Sequence, residues 1–317
     1  MVKEKIVFIV NPGAGNGATG KEWPRLEALA RDRLGPFETR FTEYPGHAGR
    51  LARESLLSGA DVVVCVGGDG TLNEVINGFM TPEGAVSPKA LLGFIPRGTG
   101  GDLVKTIPIP GDPDAALSLI ASRNAAAMDL GRITYQDHEG GTATRYFHNV
   151  LSFGLGGEVD ARVNRTTKMF GGFFSFIWAT LISIVTYKNR TIRLTVDDGE
   201  TLEVVALNVA VANGQYHGGG MWVAPDARVN DGVFHVTIIG DLSTLDIFRS
   251  LPLLYNGKIC SHAKVTSLQA RRVTASSPQR VLLDMDGEQP GLLPADIEVV
   301  PSAIQIICGE LEGMKRE

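Results

Sequence analysis

Hydrophobic and polar positions alternate along this chain in two textures. In the first part, "IVFIV", "DVVVCV" and "LLGFIP" are apolar runs of strand length, and "ETRFTEY" reads as a further strand. Between them apolar residues recur at helical spacing, which predicts helices from about Trp23 to Leu34, from His47 to Ser58 and from Leu72 to Phe79. Strands apolar on both faces, alternating with amphipathic helices, predict a parallel sheet covered on both sides. After the helix-like "PDAALSLIASRN" the texture changes to short alternating strands, as in "TIRLTVDDGETLEVVALNVAVANG", where Asp198 and Gly199 mark a hairpin turn. The change sets a boundary near Ala125 to Leu130: an α/β half followed by a mainly β half.

One segment interrupts the β texture. Met169 to Tyr187, "MFGGFFSFIWATLISIVTY", carries no charge and by length alone could span a bilayer. Its faces differ, however. Phe170, Phe174, Ile177, Leu181 and Ile184 fall on one helical stripe and Ser175, Ala179 and Ser183 on another, which predicts an amphipathic helix, either packed under the β half or touching lipid. Six basic residues, Arg162, Arg165, Lys168, Lys188, Arg190 and Arg193, bracket it with no acid among them, a pattern suited to an anionic membrane face.

The totals narrow the classes. A chain of 317 residues accommodates about two domains, and a net charge of −5 argues against nucleic-acid binding through phosphate contacts. Cys65, Cys260 and Cys308 lie far apart without any C-x-x-C, so neither a disulfide framework nor a thiolate zinc site is expected, and a cytoplasmic setting is favoured. "MVKEKIVFIVNPG" has too short an apolar run for a secretion signal.

Three glycine loops follow the apolar strands. The first, "NPGAGNGATGKE", nearly satisfies two phosphate patterns: Gly15 to Lys21 as a P-loop, and Gly15, Gly17 and Gly20 as a dinucleotide turn. It fails the first because Glu22 stands where Ser or Thr should hold Mg²⁺, and the second because Pro24 and the Trp23, Leu26, Ala30 periodicity start the helix late. The second loop, Gly67-Gly68-Asp69-Gly70-Thr71, precedes a helix whose first turn reads Leu72, Asn73, Glu74. Glycines allow close backbone approach to phosphate, and an Asp among them repels phosphate unless a cation intervenes, which points to Mg²⁺. The third loop, "IPRGTGGD", adds Thr99 and Asp102. Loops at the carboxyl ends of neighbouring parallel strands converge where open α/β sheets bind ligands.

With "NPGAG", "GGDGTLNE" and "PRGTGGD" in this order, the chain resembles the diacylglycerol-kinase catalytic-domain family, which includes soluble bacterial lipid kinases and is related to sphingosine kinases. "MDLGRI", "NGQYHGGGMWVAPDARVNDGVF" and "LLDMDGE" extend the resemblance over nearly the whole chain. It implies an α/β nucleotide-binding domain over residues 1–128, similar to NAD kinases and phosphofructokinases, and a β-sandwich lipid-substrate domain over 129–300. A segment at about 301–317 would return to the first domain, with a nucleotide cleft between the two. The resemblance implies ATP contacts at Asn11, Pro12, Gly13, Ala14 and Gly15, at Thr42, at Gly67, Gly68, Asp69, Gly70, Thr71, Leu72 and Asn73, and at Thr99. It makes Glu288 the proton acceptor with Asp286 beside it, and Asp231 a structural Mg²⁺ ligand helped by the carbonyls of Arg228 and Val233, with Asp129 linked through water. Gly101 departs from the family, which usually carries Asn in this stretch.

Phosphoryl transfer needs alignment, charge neutralisation and a base. The glycines of the second loop would cradle phosphate, Asp69 would engage Mg²⁺ and Glu288 would take the hydroxyl proton. The leading expectation is an ATP-dependent kinase of a lipid hydroxyl, diacylglycerol-like, in a cytoplasmic protein that touches anionic membrane peripherally. A kinase of a soluble alcohol such as NAD or a sugar phosphate, and a non-catalytic lipid or nucleotide sensor, are the alternatives. The identity of the lipid stays open, as does the oligomeric state, with a homodimer among the options. "MDGEQPG" also reads as a plain β-turn, and His217 as a structural or solvated histidine.

Overall fold

A computed structural model describes residues 4–98, 100–170 and 180–311, with the side chains of 164–170 outside that description. Thr99, most of the Met169 to Tyr187 segment and the side chains of Arg165 and Lys168 therefore lie outside the described residues. The chain forms two compact units: Met1–Leu130 with Val229–Asp231 and Val300–Glu317, and Gly131–Arg228 with Gly232–Val299.

In the first unit β1 (Ile6–Val10), β2 (Glu38–Phe41), β3 (Val62–Gly67) and β4 (Leu91–Pro96) are parallel in the order β2-β1-β3-β4. The end of the chain's last strand, Leu292–Ile307, adds to β4 in parallel through Gln305 and Ile306. β1 and β3 are buried along their whole length, as a sheet covered on both faces requires. The crossovers are α1 (Ala18–Leu34), α2 (His47–Leu57) and α3 (Asp69–Phe79), followed by the short α4 (Leu103–Thr106) and α5 (Pro113–Ser122). Phe8, Trp23, Leu26, Ile95, Leu117 and Ile120 meet in the core of one face. On α2 and α3, Gly49 and Gly78 bring the two backbones together: a β-carbon on Gly78 would lie 2.4 Å from the Gly49 carbonyl oxygen.

Two helix starts differ from the sequence expectation. α1 begins at Ala18 and holds Pro24 inside, on its exposed side. The amides of Gly17, Ala18, Thr19 and Gly20 donate to the carbonyls of Gly13, Gly15, Ala14 and Pro12, so the glycine turn itself supplies acceptors for the first turn and the helix need not wait for Pro24. α3 starts at Asp69 rather than Leu72, because Gly68 is extended and serves as its N-cap.

The second unit is a sandwich. Its first sheet orders β9 (Leu202–Ala206), β8 (Arg190–Val196), β13 (Arg272–Ser276) and the start of the last strand, β15, which also pairs with β5 (Ala125–Gln136), itself paired to β6 (Thr142–Phe147). The second is antiparallel in the order β12 (Val265–Ala270), β11 (Phe234–Ile239), β10 (Asn208–Ala212), β7 (Val150–Gly154) and β14 (Leu283–Met285). Phe147, Phe153, Phe234, Ile192 and Val273 share the core between them, with the Phe147 and Phe234 rings stacked at 5.5 Å. The hairpin expected at Asp198 and Gly199 joins β8 to β9.

Helix α6 (Leu155–Phe170) follows β7, and residues 180–186 are helical. In that short helix Ser183 and Ile184 are buried while Leu181 and Val185 are exposed, which corrects the expected stripes. Arg162 donates to the buried Ser183 hydroxyl and to the exposed Thr186 hydroxyl, at 3.1 and 3.2 Å, which gives Ser183 a polar partner on the inward side. The basic bracket is also less uniform than it reads in sequence, since Arg193 pairs with Glu203 of the neighbouring strand at 2.8 Å. Among the described residues no helix is long and apolar enough to cross a membrane.

Candidate active site

The three glycine loops of the first unit are stitched into one platform at the carboxyl ends of β1, β3 and β4. Asn11, just past β1, accepts from the Gly13 amide (3.0 Å) through its side-chain oxygen and donates to the Thr71 hydroxyl (2.8 Å) through its amide. The Asn11 amide donates to the Val66 carbonyl and the Arg97 amide to the Gly67 carbonyl, tying each loop to the next. The glycines serve contact between loops. A β-carbon on Gly98 would lie 2.6 Å from the Gly68 α-carbon, and one on Gly67 would meet Thr71 at 2.7 Å. Asp69 reaches the third loop, its Oδ2 accepting from the Gly101 amide at 2.8 Å. Thr42 joins the platform's rim through its amide, which donates to the Val10 carbonyl.

Two helix N-termini face different fates. In α1 the first amides are consumed by the loop's own carbonyls, so the near P-loop offers no helix-end cradle, a firmer reason to set that pattern aside than the position of Pro24. In α3 the ladder opens with the Leu72 amide on the Gly68 carbonyl (3.0 Å), so the amides ahead of it are not used by the helix itself. Leu72 and Asn73 are buried, so their side chains hold α3 in place and any ligand contact from them is through backbone. Glu74 has a structural task that sequence reading missed: its carboxylate accepts from the amides of Gly46 and Ala48 at 2.8 and 3.0 Å, capping α2. Glu22 pairs with Arg97.

Gly101 has a physical rationale. Its φ of +60° is a left-handed conformation, and Asn is the residue besides glycine that tolerates it best. A β-carbon there would meet only a Val104 methyl at 3.4 Å.

In the second unit Asp286 and Gly287 form the tip of a two-residue hairpin, with φ of +52° and +85° as a type I′ turn requires. Met285 and Glu288 exchange both backbone hydrogen bonds at its base, 2.7 and 3.0 Å long. The Asp286 side chain is buried, and its carboxylate accepts from the amides of His148, Asn149 and Val150 at 3.0, 3.1 and 3.0 Å, with His148 Nδ1 2.8 Å away. Asp286 thereby anchors the turn to β7 and the residues just before it. Glu288 stands out from the same turn with its side chain 40% exposed, and Arg145 donates to its Oε2 at 2.9 Å. Arg145 is a partner of Glu288 that no motif announced.

Behind the turn lies a second group that sequence reading missed. Asp284 is buried, accepting from the Gly287 amide at 3.1 Å, with His217 Nε2 2.8 Å from its Oδ2. Asp160, on α6, is near enough for the two carboxyl groups to act on each other electrostatically. Burial pushes the Asp160 carboxyl well above the usual carboxylate range, and the charges of Asp284 and Glu288 push it the same way. Burial also acts to raise Asp284, but His217, Asp160 and the Gly287 amide together outweigh it and hold Asp284 low. His217 is thus bound to an acid rather than solvated.

The expected structural metal residues fall as follows. Asp129 is buried, its Oδ1 accepting from the Ser302 amide and its own amide donating to the Val229 carbonyl, both at 2.7 Å. Asp231 is exposed. Among the described residues no three His, Cys, Asp or Glu side chains gather as a metal-holding group.

Residues 5–133 match the diacylglycerol kinase catalytic domain, and residues 149–308 match the YegS C-terminal NAD kinase beta sandwich-like domain. The chain belongs to the diacylglycerol kinase catalytic-domain family. A Staphylococcus carnosus protein called diacylglycerol kinase is 27% identical over 96% of this chain and 95% of its own length. A solved Bacillus anthracis structure, provisionally assigned as a diacylglycerol kinase, shares 23% identity and a TM-score of 0.77 over 98% of this chain and 99% of that one. Yeast NADH kinase, at 15% identity and a TM-score of 0.52, shares the fold over 98% of this chain and 85% of its own. The family, the α/β-plus-sandwich fold class and the expectation of a lipid kinase are all borne out. Membership in a kinase family carries ATP use with it.

Proposed function

We propose that this diacylglycerol kinase family member moves the γ-phosphoryl group of ATP to a diacylglycerol hydroxyl, with the stitched glycine loops as the nucleotide platform and Glu288 as the base. The observation that carries the assignment is the pairing of two chemistries in one chain: a backbone platform headed by the Asp69 carboxylate, and an exposed carboxylate held in one place by Arg145. Glu288 would accept the proton of the attacking hydroxyl while the new oxygen–phosphorus bond forms, and the bond to the bridging oxygen of ATP breaks to release ADP. Asn11 to Gly15, Thr42, Gly67 to Thr71, the backbone of Leu72 and Asn73, and Thr99 would bind and align ATP.

Asp69 is a hard oxygen donor at the head of α3 and suits Mg²⁺, which when bound would neutralise charge on the phosphates. A structural Mg²⁺ held by Asp231, the carbonyls of Arg228 and Val233, and Asp129 through water fits the same donor chemistry, and the bond from the Asp129 amide to Val229 keeps Asp129 beside that stretch. Reversible contact with anionic membrane completes the proposal. What supports it is the outward-facing Leu181 and Val185, and Leu245 and Phe248 on α7 (Thr244–Tyr255), whose Ile247 shares a buried cluster with Ile184. Lys188 and Arg190 lie next to the short helix.

The test is incubation with γ-labelled ATP and mixed vesicles containing diacylglycerol. Label in phosphatidic acid is the expected result; label in none of the lipids, with ATP bound normally, overturns the reading. Vesicle co-sedimentation should weaken with salt and on combined Lys188→Gln and Arg190→Gln substitution. Equal sedimentation of both proteins with anionic vesicles would remove the membrane part.

A further inference from the structure

The backbone of the acid turn is fixed twice, by the Asp286 carboxylate on the amides at the start of β7 and by the paired bonds between Met285 and Glu288. The Glu288 side chain is a separate matter. A glutamate turns about three bonds, and this one is 40% exposed, so packing alone would let its carboxylate swing away from a hydroxyl that a base must meet at hydrogen-bond distance. Among the described residues, the group that hydrogen-bonds that carboxylate is Arg145. We propose that Arg145 is a positioning residue for Glu288, and that the hairpin of β5 and β6 is the arm that carries it to the acid turn. The proposal rests on the reading of Glu288 as the base.

The arm meets the turn at three points. Arg145 stands on β6 opposite Ile133 of β5, a residue of the sandwich core, so its stem starts from a strand that packing holds still. Its Nη2 donates to Glu288 Oε2 at 2.9 Å. In the loop that closes the hairpin, His138 Nε2 lies 2.8 Å from the side-chain oxygen of Gln289, the residue after Glu288. Gly291 then presses on β5: a β-carbon there would lie 2.2 Å from the Gln136 carbonyl oxygen and 2.8 Å from the Tyr135 ring. The contacts at Gln289 and Gly291 seat the hairpin against the chain beyond Glu288, and the one at Arg145 reaches the reacting group.

Holding one oxygen divides the work of the carboxylate. Oε2 takes the N–H of Arg145, and Oε1 is left to accept the hydroxyl proton. The guanidinium charge also offsets the repulsion a carboxylate meets when it is brought beside phosphate oxygens. With the two side chains 28% and 40% exposed, the pair adds little to stability, so its loss should register in turnover rather than in folding.

Arg145→Ala separates positioning from packing. With diacylglycerol vesicles its kcat should fall by about 10- to 100-fold, while KM for ATP stays within about twofold and the melting temperature matches the parent's. Arg145→Lys keeps the charge but not the planar fork, and should turn over at least about threefold faster than Arg145→Ala. The deciding comparison is made in Glu288→Gln, where no carboxylate remains to be held. Adding Arg145→Ala there should lower the residual turnover, followed with labelled ATP, by less than about threefold. A parental kcat in Arg145→Ala, or the same large loss in both backgrounds, overturns the proposal. Should Arg145→Ala not fold, Arg145→Met, which keeps the stem, replaces it in both arms. Glu288→Gln by itself distinguishes the two readings. If it turns over as the parent does, the base assignment fails; if it has lost most of its turnover and Arg145→Ala matches the parent, only the positioning proposal fails.

Discussion

The glycine platform of the first unit and the acid turn of the second solve the same task, holding polar groups in fixed places, by opposite means. The platform is made of backbone: its glycines are needed because loops touch, as at Gly68 and Gly98, and its few side-chain bridges, Asn11 to Thr71 and Asp69 to the Gly101 amide, run between residues of the glycine motifs themselves. The acid turn is made of side chains drawn from far along the chain, with Arg145 reaching Glu288 across 143 residues and Ser152 reaching Asp284 across 132. Backbone devices leave a strong mark in a sequence because only glycine fits them. A side-chain network leaves none, because any one of its members looks ordinary alone.

The comparison can be broken or sharpened by substitution, starting with the largest expected effect. Glu288→Gln keeps the shape and removes the basicity, so kcat in a diacylglycerol kinase assay should fall by about 10²- to 10⁴-fold while ATP binding measured by calorimetry is retained. Unchanged turnover would make the exposed carboxylate incidental and leave the turn without chemistry.

Gly98→Ala attacks the platform at its tightest point. The added methyl carbon would meet the Gly68 α-carbon at 2.6 Å, where neither backbone can yield cheaply. The loops must part, lowering stability by about 1–3 kcal/mol in denaturant unfolding and weakening ATP binding with it. Full stability together with normal ATP affinity would show that the platform is looser than its contacts indicate.

Asp286→Asn tests anchor against catalyst. Asn suits the positive φ, so the backbone shape is preserved, but one of its side-chain positions becomes a donor facing amide donors. Thermal or denaturant unfolding should show a loss of about 1–3 kcal/mol, with kcat per folded molecule little changed. A collapse of kcat at unchanged stability would instead return Asp286 to the chemistry.

The smallest effect is expected at Gly101→Asn, where a left-handed φ is compatible with Asn and the β-carbon has room beside Val104. Stability should change by no more than about 1 kcal/mol, and tighter ATP binding would show that the side-chain amide usual in the family adds a phosphate contact. Large destabilisation would mean that the third loop needs glycine for a reason its contacts do not reveal.

Much of the fold was legible because burial imposes periodicity. Runs buried on both faces at "IVFIV" and "DVVVCV" can only be interior parallel strands, and short alternating runs closed by Asp-Gly turns can only pair as antiparallel sheets. Helix starts were less legible. Pro24 marks an acceptable first position, yet α1 begins six residues earlier because carbonyls of the glycine loop satisfy its amides, a condition that depends on how the loop folds back. The glycine loops and the Met-Asp-Gly-Glu turn were therefore written in the chain as local backbone requirements. The roles within them were not: Glu74 caps a neighbouring helix, Asp286 anchors the turn to the strand beside it, and His217 pairs with Asp284 behind the turn. Those roles depend on desolvation and on distances of a few ångströms between residues remote in sequence, and only tertiary packing sets either.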